Sequence, residues 1–87
     1  MGLTKAAAKE GGPRGVTVNA VNPGRIETAM SKDQTPEVEE RIRQTIPLGR
    51  LGQPREIAGC VAFLASEYAD YITGTAIEVN GGAYMGP

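Results

Sequence analysis

The segment Val16-Thr17-Val18-Asn19-Ala20-Val21-Asn22-Pro23-Gly24 constrains this chain more than any other stretch. Val16, Val18, Ala20 and Val21 put apolar groups on both faces of an extended backbone, as a strand covered on both sides requires. Pro23 has no N–H to give a ladder, so the strand has to end by there. Gly24 then allows a sharp turn, or a close approach to a ligand, with no Cβ in the way. In open α/β sheets ligands bind just past the carboxyl ends of strands, where Gly24 to Thr28 would lie. Read alone, Asn22-Pro23-Gly24 is first of all an ordinary strand-to-loop turn.

Around this segment the pattern alternates between helix and strand. Leu3 to Glu10 reads as the end of a helix, with Leu3, Ala6 and Ala7 on one face and Gly11-Gly12-Pro13 stopping it. Met1 opens the chain inside that helix pattern without a capping residue before it. Thr28 to Asp33 is polar loop. Thr35 as N-cap and Pro36 at the first helical position then signal a second helix. Glu37/Arg41 and Glu39/Arg43 are i,i+4 pairs with the acid placed first, the better order. Only Val38, Ile42 and Ile46 give this helix an apolar stripe, which suits either a flap over a site or a plain surface helix.

Pro54 starts the strongest helix, about Pro54 to Ser66, with Glu56 near its positive end. Ile57, Val61, Leu64 and Ala65 line one face, and Gly59, Cys60 and Phe63 widen the apolar surface beyond a single stripe. A second partner on that side is therefore expected. Thr75 to Val79 reads as a second strand, closed by Gly81-Gly82. Two strands joined through so long a crossover lie parallel. Two parallel strands are too few for a sheet with its own core, so a remainder is expected elsewhere.

Composition excludes several functions. With 87 residues this is at most one small domain, and a net charge of −1 gives no electrostatic case for nucleic acid or an acidic membrane surface. No apolar run approaches a membrane span, and the first residues do not read as a leader. The chain has no His and a single cysteine. A zinc site, a Cys/His nucleophile pair or a disulfide framework is therefore not expected, and a reducing cytoplasm is. Cys60 reads as a small packing residue rather than a reactive thiol.

Four blocks, in order, carry a resemblance that spans nearly the whole chain: Val18-Asn19-Ala20-Val21-Asn22-Pro23-Gly24-Arg25-Ile26-Glu27-Thr28; Ile46-Pro47-Leu48-Gly49-Arg50-Leu51-Gly52-Gln53-Pro54-Arg55-Glu56-Ile57-Ala58; Val61-Ala62-Phe63-Leu64-Ala65-Ser66; and Tyr71-Ile72-Thr73-Gly74 followed by Val79-Asn80-Gly81-Gly82. They resemble the short-chain dehydrogenases/reductases. The closing Asn-Gly-Gly-Ala-Tyr-Met is most like the β-ketoacyl-acyl-carrier-protein reductase branch. The resemblance implies an α/β fold: the C-terminal portion of a Rossmann-type, doubly wound parallel sheet, with two strands and about three helices here. Residues 1–87 would then form the last third of a single NAD(P)-binding domain whose cofactor-binding and catalytic N-terminal part is missing.

That family needs a glycine-rich pyrophosphate turn, a Ser, a Tyr-x-x-x-Lys proton donor and a wall that holds the nicotinamide. Only the wall has a counterpart. The family's Ser and Tyr-x-x-x-Lys are not in this chain; aligned through Gly2-Leu3-Thr4, that pair would fall just before Met1. Tyr68, Tyr71 and Tyr84 do not replace it, since none is followed four residues later by Lys. By resemblance, Pro23 and Gly24 shape the nicotinamide pocket, the Ile26 backbone contacts the carboxamide, and the Thr28 hydroxyl faces the carboxamide or pyrophosphate.

Asn19 and Asn22 read as satisfying local backbone groups. Arg14 reads as a solvated cation or as part of a patch for an acidic acyl-carrier protein. The implied reaction is reduction of a ketone, carried by a small molecule or an acyl-carrier protein, with NADP(H) favoured over NAD(H). A sugar, polyol or steroid alcohol dehydrogenase, or a non-catalytic interaction module, stays open beside it. The family resemblance also implies a homo-oligomer, a dimer or tetramer, built through Pro54–Ser66 and the C-terminal strand. No metal is expected.

Overall fold

A computed structural model describes residues 1–28 and 34–85. The Ala29–Asp33 part of the expected polar loop lies outside the described residues. Helix α1 runs Gly2–Gly11, strand β1 Ala20–Pro23, helix α2 Pro36–Gln44, helix α3 Pro54–Leu64 and strand β2 Ala76–Val79. The strands form a two-stranded parallel sheet in the register Ala20↔Ala76 to Pro23↔Val79. The α/β expectation, with three helices and two parallel strands, is met.

β1 is shorter than its apolar pattern. The expected strand begins at Val16, but ladder pairing begins only at Ala20. Before that, a backbone bond from the Gly74 N–H to the Val18 carbonyl at 2.8 Å is joined by side-chain bonds. The Val18 N–H donates to Thr73 Oγ1 at 3.0 Å, and Asn19 donates from Nδ2 to the Ile72 carbonyl at 3.0 Å. Asn19 Oδ1 also accepts from the Thr75 N–H at 3.2 Å, so its amide satisfies backbone groups on both sides of the Thr73-Gly74 turn. Val16 is 51 % exposed, so the expectation of cover on both faces fails at that end. The strand ends at Pro23 as expected, but the missing N–H breaks no bond to β2: the Ala20 and Gly24 N–H groups face β2, donating to the Thr75 and Val79 carbonyls at 2.9 Å each, and the Pro23 nitrogen faces the other edge.

The first α-helix stops within Gly11-Gly12-Pro13, as expected. It passes through Gly11 into a 3-10 turn, Gly12–Arg14, and the chain reverses at Gly15, whose φ of 73° is left-handed. In α2, Thr35 caps as expected, its Oγ1 accepting from the Val38 N–H at 3.3 Å, and Glu39 pairs with Arg43. α3 ends two residues short of the expected Ser66, where Ser66 Oγ donates to the Phe63 carbonyl at 2.6 Å. Its face is split: Ile57 and Leu64 are half-buried, while Val61 is exposed although it was expected to share their face. Among the described residues only Ala8, Ile46 and Ala69 are buried apolar side chains. No helix among the described residues is long and apolar enough to cross a membrane.

Candidate functional site

The loop that leaves β1 is fixed on two sides. On the first, a Cβ added to Gly24 would lie 2.5 Å from Asn80 Cβ and 2.9 Å from Asn80 Cα. No side chain fits in that gap without displacing backbone. Asn80 is itself tied down: Oδ1 accepts from the Gly82 N–H at 2.9 Å and Nδ2 donates to the Tyr84 carbonyl at 2.9 Å. The turn after β2 is tied in addition to the connector before α3, where the Leu48 N–H donates to the Gly81 carbonyl at 3.1 Å.

On the second side, Ile26 forms an isolated parallel bridge with Gly52. The Gly52 N–H donates to the Arg25 carbonyl at 3.0 Å, and the Glu27 N–H donates to the Gly52 carbonyl at 2.8 Å. A Cβ at Gly52 would come within 2.8 Å of Ile26 Cδ1, so a side chain there would push the Ile26 side-chain end aside. Backbone groups of successive residues point to opposite edges of an extended segment. With Arg25 C=O and Glu27 N–H turned toward Gly52, the Ile26 N–H and C=O are turned to the other edge.

Behind Gly52, the N-terminus of α3 carries a chain of polar contacts. Gln53 precedes the helix, and its N–H donates to Glu56 Oε1 at 2.9 Å, which is one half of a capping box. Arg50 grips the same carboxylate with both Nη atoms, at 2.7 and 2.9 Å. The Arg50 hydrogen bonds, followed by the Gln53 N–H, hold the Glu56 carboxyl down to about 2 from the ordinary 4.5. A lowered carboxyl contributes its stability fully above about pH 4.5 and loses it as pH falls toward 2. Both partners are solvent-facing, so screening keeps the effect small.

An open cleft of about 440 Å³ lies between these elements, with Ile26, Leu48, Val79 and Met85 as apolar lining and Arg25 and Arg50 among its charged residues. Of the residues singled out from the sequence, Ile26 lines this cleft. Pro23 sits exposed at the last pair of the ladder, Gly24 lies against Asn80, and Thr28 is exposed just past the bridge. The four are thus held on one continuous run at the carboxyl end of β1. Sequence reasoning missed the groups that hold this run in place: Asn80, Gly52 and Gln53. Gly52, Gln53 and Asn80 entered as members of the family-like blocks, with no contact assigned to any of them. A Gln placed three residues before Glu at a helix start is a capping signal, but nothing local says that its amide reaches Glu27.

Comparison with known proteins gives a consistent picture. The family model described as enoyl-(acyl-carrier-protein) reductase matches residues 1–84. An acetoacetyl-CoA reductase of Rhizobium meliloti is 54 % identical over 86 residues, which is 98 % of this chain and 36 % of that protein. A 3-oxoacyl-[acyl-carrier-protein] reductase of Vibrio cholerae is 55 % identical over 85 residues, 98 % of this chain and 35 % of its own length. The corresponding Aquifex aeolicus enzyme is 52 % identical over 84 residues, 97 % and 34 %. The chain thus spans about a third of the length of the curated relatives it matches.

Proposed function

The chain belongs to the short-chain dehydrogenase/reductase family, most like its 3-oxoacyl-acyl-carrier-protein reductases, and from that premise we propose that residues 1–87 act as the C-terminal part of an NAD(P)-dependent ketoreductase domain, supplying one wall of its nicotinamide site. The substrate is a β-ketoacyl thioester carried by an acyl-carrier protein or a related pantetheine carrier, and the cofactor is NADPH. The compartment is the cytoplasm.

One observation carries this reading. The run from Pro23 to Thr28 is pinned between Asn80 and Gly52, with bare backbone at Gly24 and the Ile26 peptide groups turned away from the bridge. Such a run suits the amide of a nicotinamide, which offers one donor group and one acceptor. The dinucleotide would supply the hydride. The chain's part is to orient it: Gly24 allows close approach, the Ile26 N–H and C=O read the carboxamide, and the Thr28 hydroxyl adds a group that can donate or accept. Holding the ring at a fixed height is what lets a short transfer proceed. The proton donor and the pyrophosphate turn would come from the rest of the domain.

The test is a graft in which residues 1–87 replace the matching stretch of the Vibrio cholerae reductase. The grafted enzyme is expected to oxidise NADPH with a β-ketoacyl thioester. Its Thr28→Val variant is expected to raise the cofactor KM about tenfold, the loss of one hydrogen bond to a polar partner, with the thermal midpoint little changed. A folded graft that binds no dinucleotide, or an unchanged KM in the variant, would refute the corresponding assignment.

Assembly is the second part of the proposal. Phe63 is 44 % exposed on α3, a large apolar side chain that suits a subunit contact in a homo-oligomer. The graft is expected to run as a dimer or tetramer in light scattering at micromolar concentration. Phe63→Glu should lower that mass, because a carboxylate would be buried without a partner. An unaltered mass would move the interface elsewhere.

A further inference from the structure

We propose that Gln53 is a positioning residue that latches the cofactor loop to the N-terminus of α3 through Glu27; the proposal rests on the cofactor reading above and assigns the control of that loop. Gln53 Nε2 donates to Glu27 Oε2 at 2.6 Å, a half-buried contact between residues 26 positions apart. The acceptor is a carboxylate, so the bond belongs to the stronger, charge-assisted class. Glu27 lies between Ile26 and Thr28, the two residues assigned to the carboxamide.

The other end of the latch is rigid. The Gln53 N–H is bonded to Glu56, and Glu56 is held by both Nη atoms of Arg50. The Gln53 backbone is thus tied to the helix end and not to the loop, so its side chain tethers the loop to α3. Gly52, immediately before it, makes the two backbone hydrogen bonds that flank Ile26. The backbone bridge turns the Ile26 peptide groups away from Gly52, whereas the side-chain latch holds Glu27, where the loop leaves that bridge. The hold on Glu27 bears on the Thr28 hydroxyl, the binding group that follows directly after it, and steadies the bridge at Ile26. A helix end, and not the strand alone, thus holds this part of the loop.

The experiment uses the full-length graft described above, with the parent enzyme, Gln53→Ala, Gln53→Glu and the exchange Glu27→Gln/Gln53→Glu. Gln53→Ala is expected to raise the cofactor KM about tenfold and the thioester KM much less. Hydrogen exchange without cofactor should quicken at Glu27 and Thr28 and stay unchanged at Val21 and Ile77. Gln53→Glu should be worse, because two carboxylates would then face each other. The exchange variant places an amide on the loop and a carboxylate on the helix, so it should recover most of the parental cofactor KM. A role in helix capping alone would not give that recovery.

A parent graft that binds NADPH while Gln53→Ala keeps its KM overturns the latch and leaves the functional reading standing. Failure of the exchange variant to recover, with Gln53→Glu and the double variant equally impaired, also overturns it. A folded parent graft that binds no dinucleotide overturns the functional reading, and the assigned role of Gln53 with it.

Discussion

Expressed by itself, the 87-residue chain is expected to show no cooperative thermal transition, no NADPH binding in the micromolar range and no turnover of a β-ketoacyl thioester. The packing gives the reason. Only Ala8, Ile46 and Ala69 are buried apolar side chains among the described residues, and no large side chain there is fully buried. Leu3 is 85 % and Tyr71 fully exposed. The radius of gyration is 15.8 Å, against roughly 12 Å for a compact domain of this length. Among the described residues each strand has one edge with no strand on it, a surface that invites association.

Folding stability is a small remainder of large opposing terms, and so thin a core does not offset the entropy of ordering the backbone. The chemistry is short of parts as well. No Tyr in the chain is followed by Lys at the spacing the family's proton donor needs. Differential scanning calorimetry and a fluorescence titration with NADPH check both halves. A sharp transition together with micromolar binding would show that the chain is a self-sufficient domain. Recovery of both properties in the graft, but not in the free chain, is the expected pair of results.

The second large effect is at Gly24. In the graft, Gly24→Ala is expected to lower kcat/KM about a hundredfold, the order of loss that follows a misplacement of about 1 Å at a reacting site. It should also destabilise the fold by about 1–3 kcal/mol, as overpacking does. The new methyl would lie 2.5 Å from Asn80 Cβ. Asn80 cannot retreat, because both ends of its side-chain amide are bonded to the turn after β2. Nor can Gly24, whose N–H is held by the Val79 carbonyl at 2.9 Å. The loop must therefore lift, carrying Ile26 and Thr28 with it.

Gly12→Ala is the control. Gly12 is helical and nothing lies within 4 Å of its missing Cβ, so a methyl there should leave kcat/KM unchanged and stability level or slightly higher. Assays well below the thermal midpoint separate displacement of the loop from simple unfolding. Parental kcat/KM in Gly24→Ala would mean that the loop has slack the static geometry conceals.

Several elements follow from local chemistry and were legible in the sequence. Pro23 marks the end of β1, as expected, although the bond to β2 beyond it is still made by the Gly24 N–H, because the proline nitrogen faces the other edge. Thr35 and Pro36 start α2 because a hydroxyl acceptor and a fixed φ suit a helix N-terminus in any context. Glu39 and Arg43 meet because residues four apart share a helix face. The parallel pairing of the strands follows from the length of chain between them. Pro23, Gly24, Ile26 and Thr28 were singled out through their wording as a family motif rather than through any physical pattern, and the structure places them on one run at the carboxyl end of β1.

What tertiary structure alone decided depends on distances between residues far apart in the chain. The apolar run from Val16 predicts a strand four residues before the regular ladder begins, because around Val18 and Asn19 side-chain bonds to Thr73 and Thr75 take the place of regular pairing beside a single backbone bond from Gly74. Val61 was placed with Ile57 on a core face, yet it is exposed, since periodicity gives a residue's side of a helix but not what covers it. Gly24 and Gly52 look alike in sequence to Gly12, yet only the first two face atoms that a Cβ would strike. The contact of Gln53 with Glu27 spans 26 positions and has no periodic signature. Sequence thus determined which residues turn, cap and carry polar groups, since those properties belong to one residue and its neighbours. Which of them are pressed together was settled only when β1, β2 and the start of α3 met, because close approach is a property of packed elements and not of any one of them.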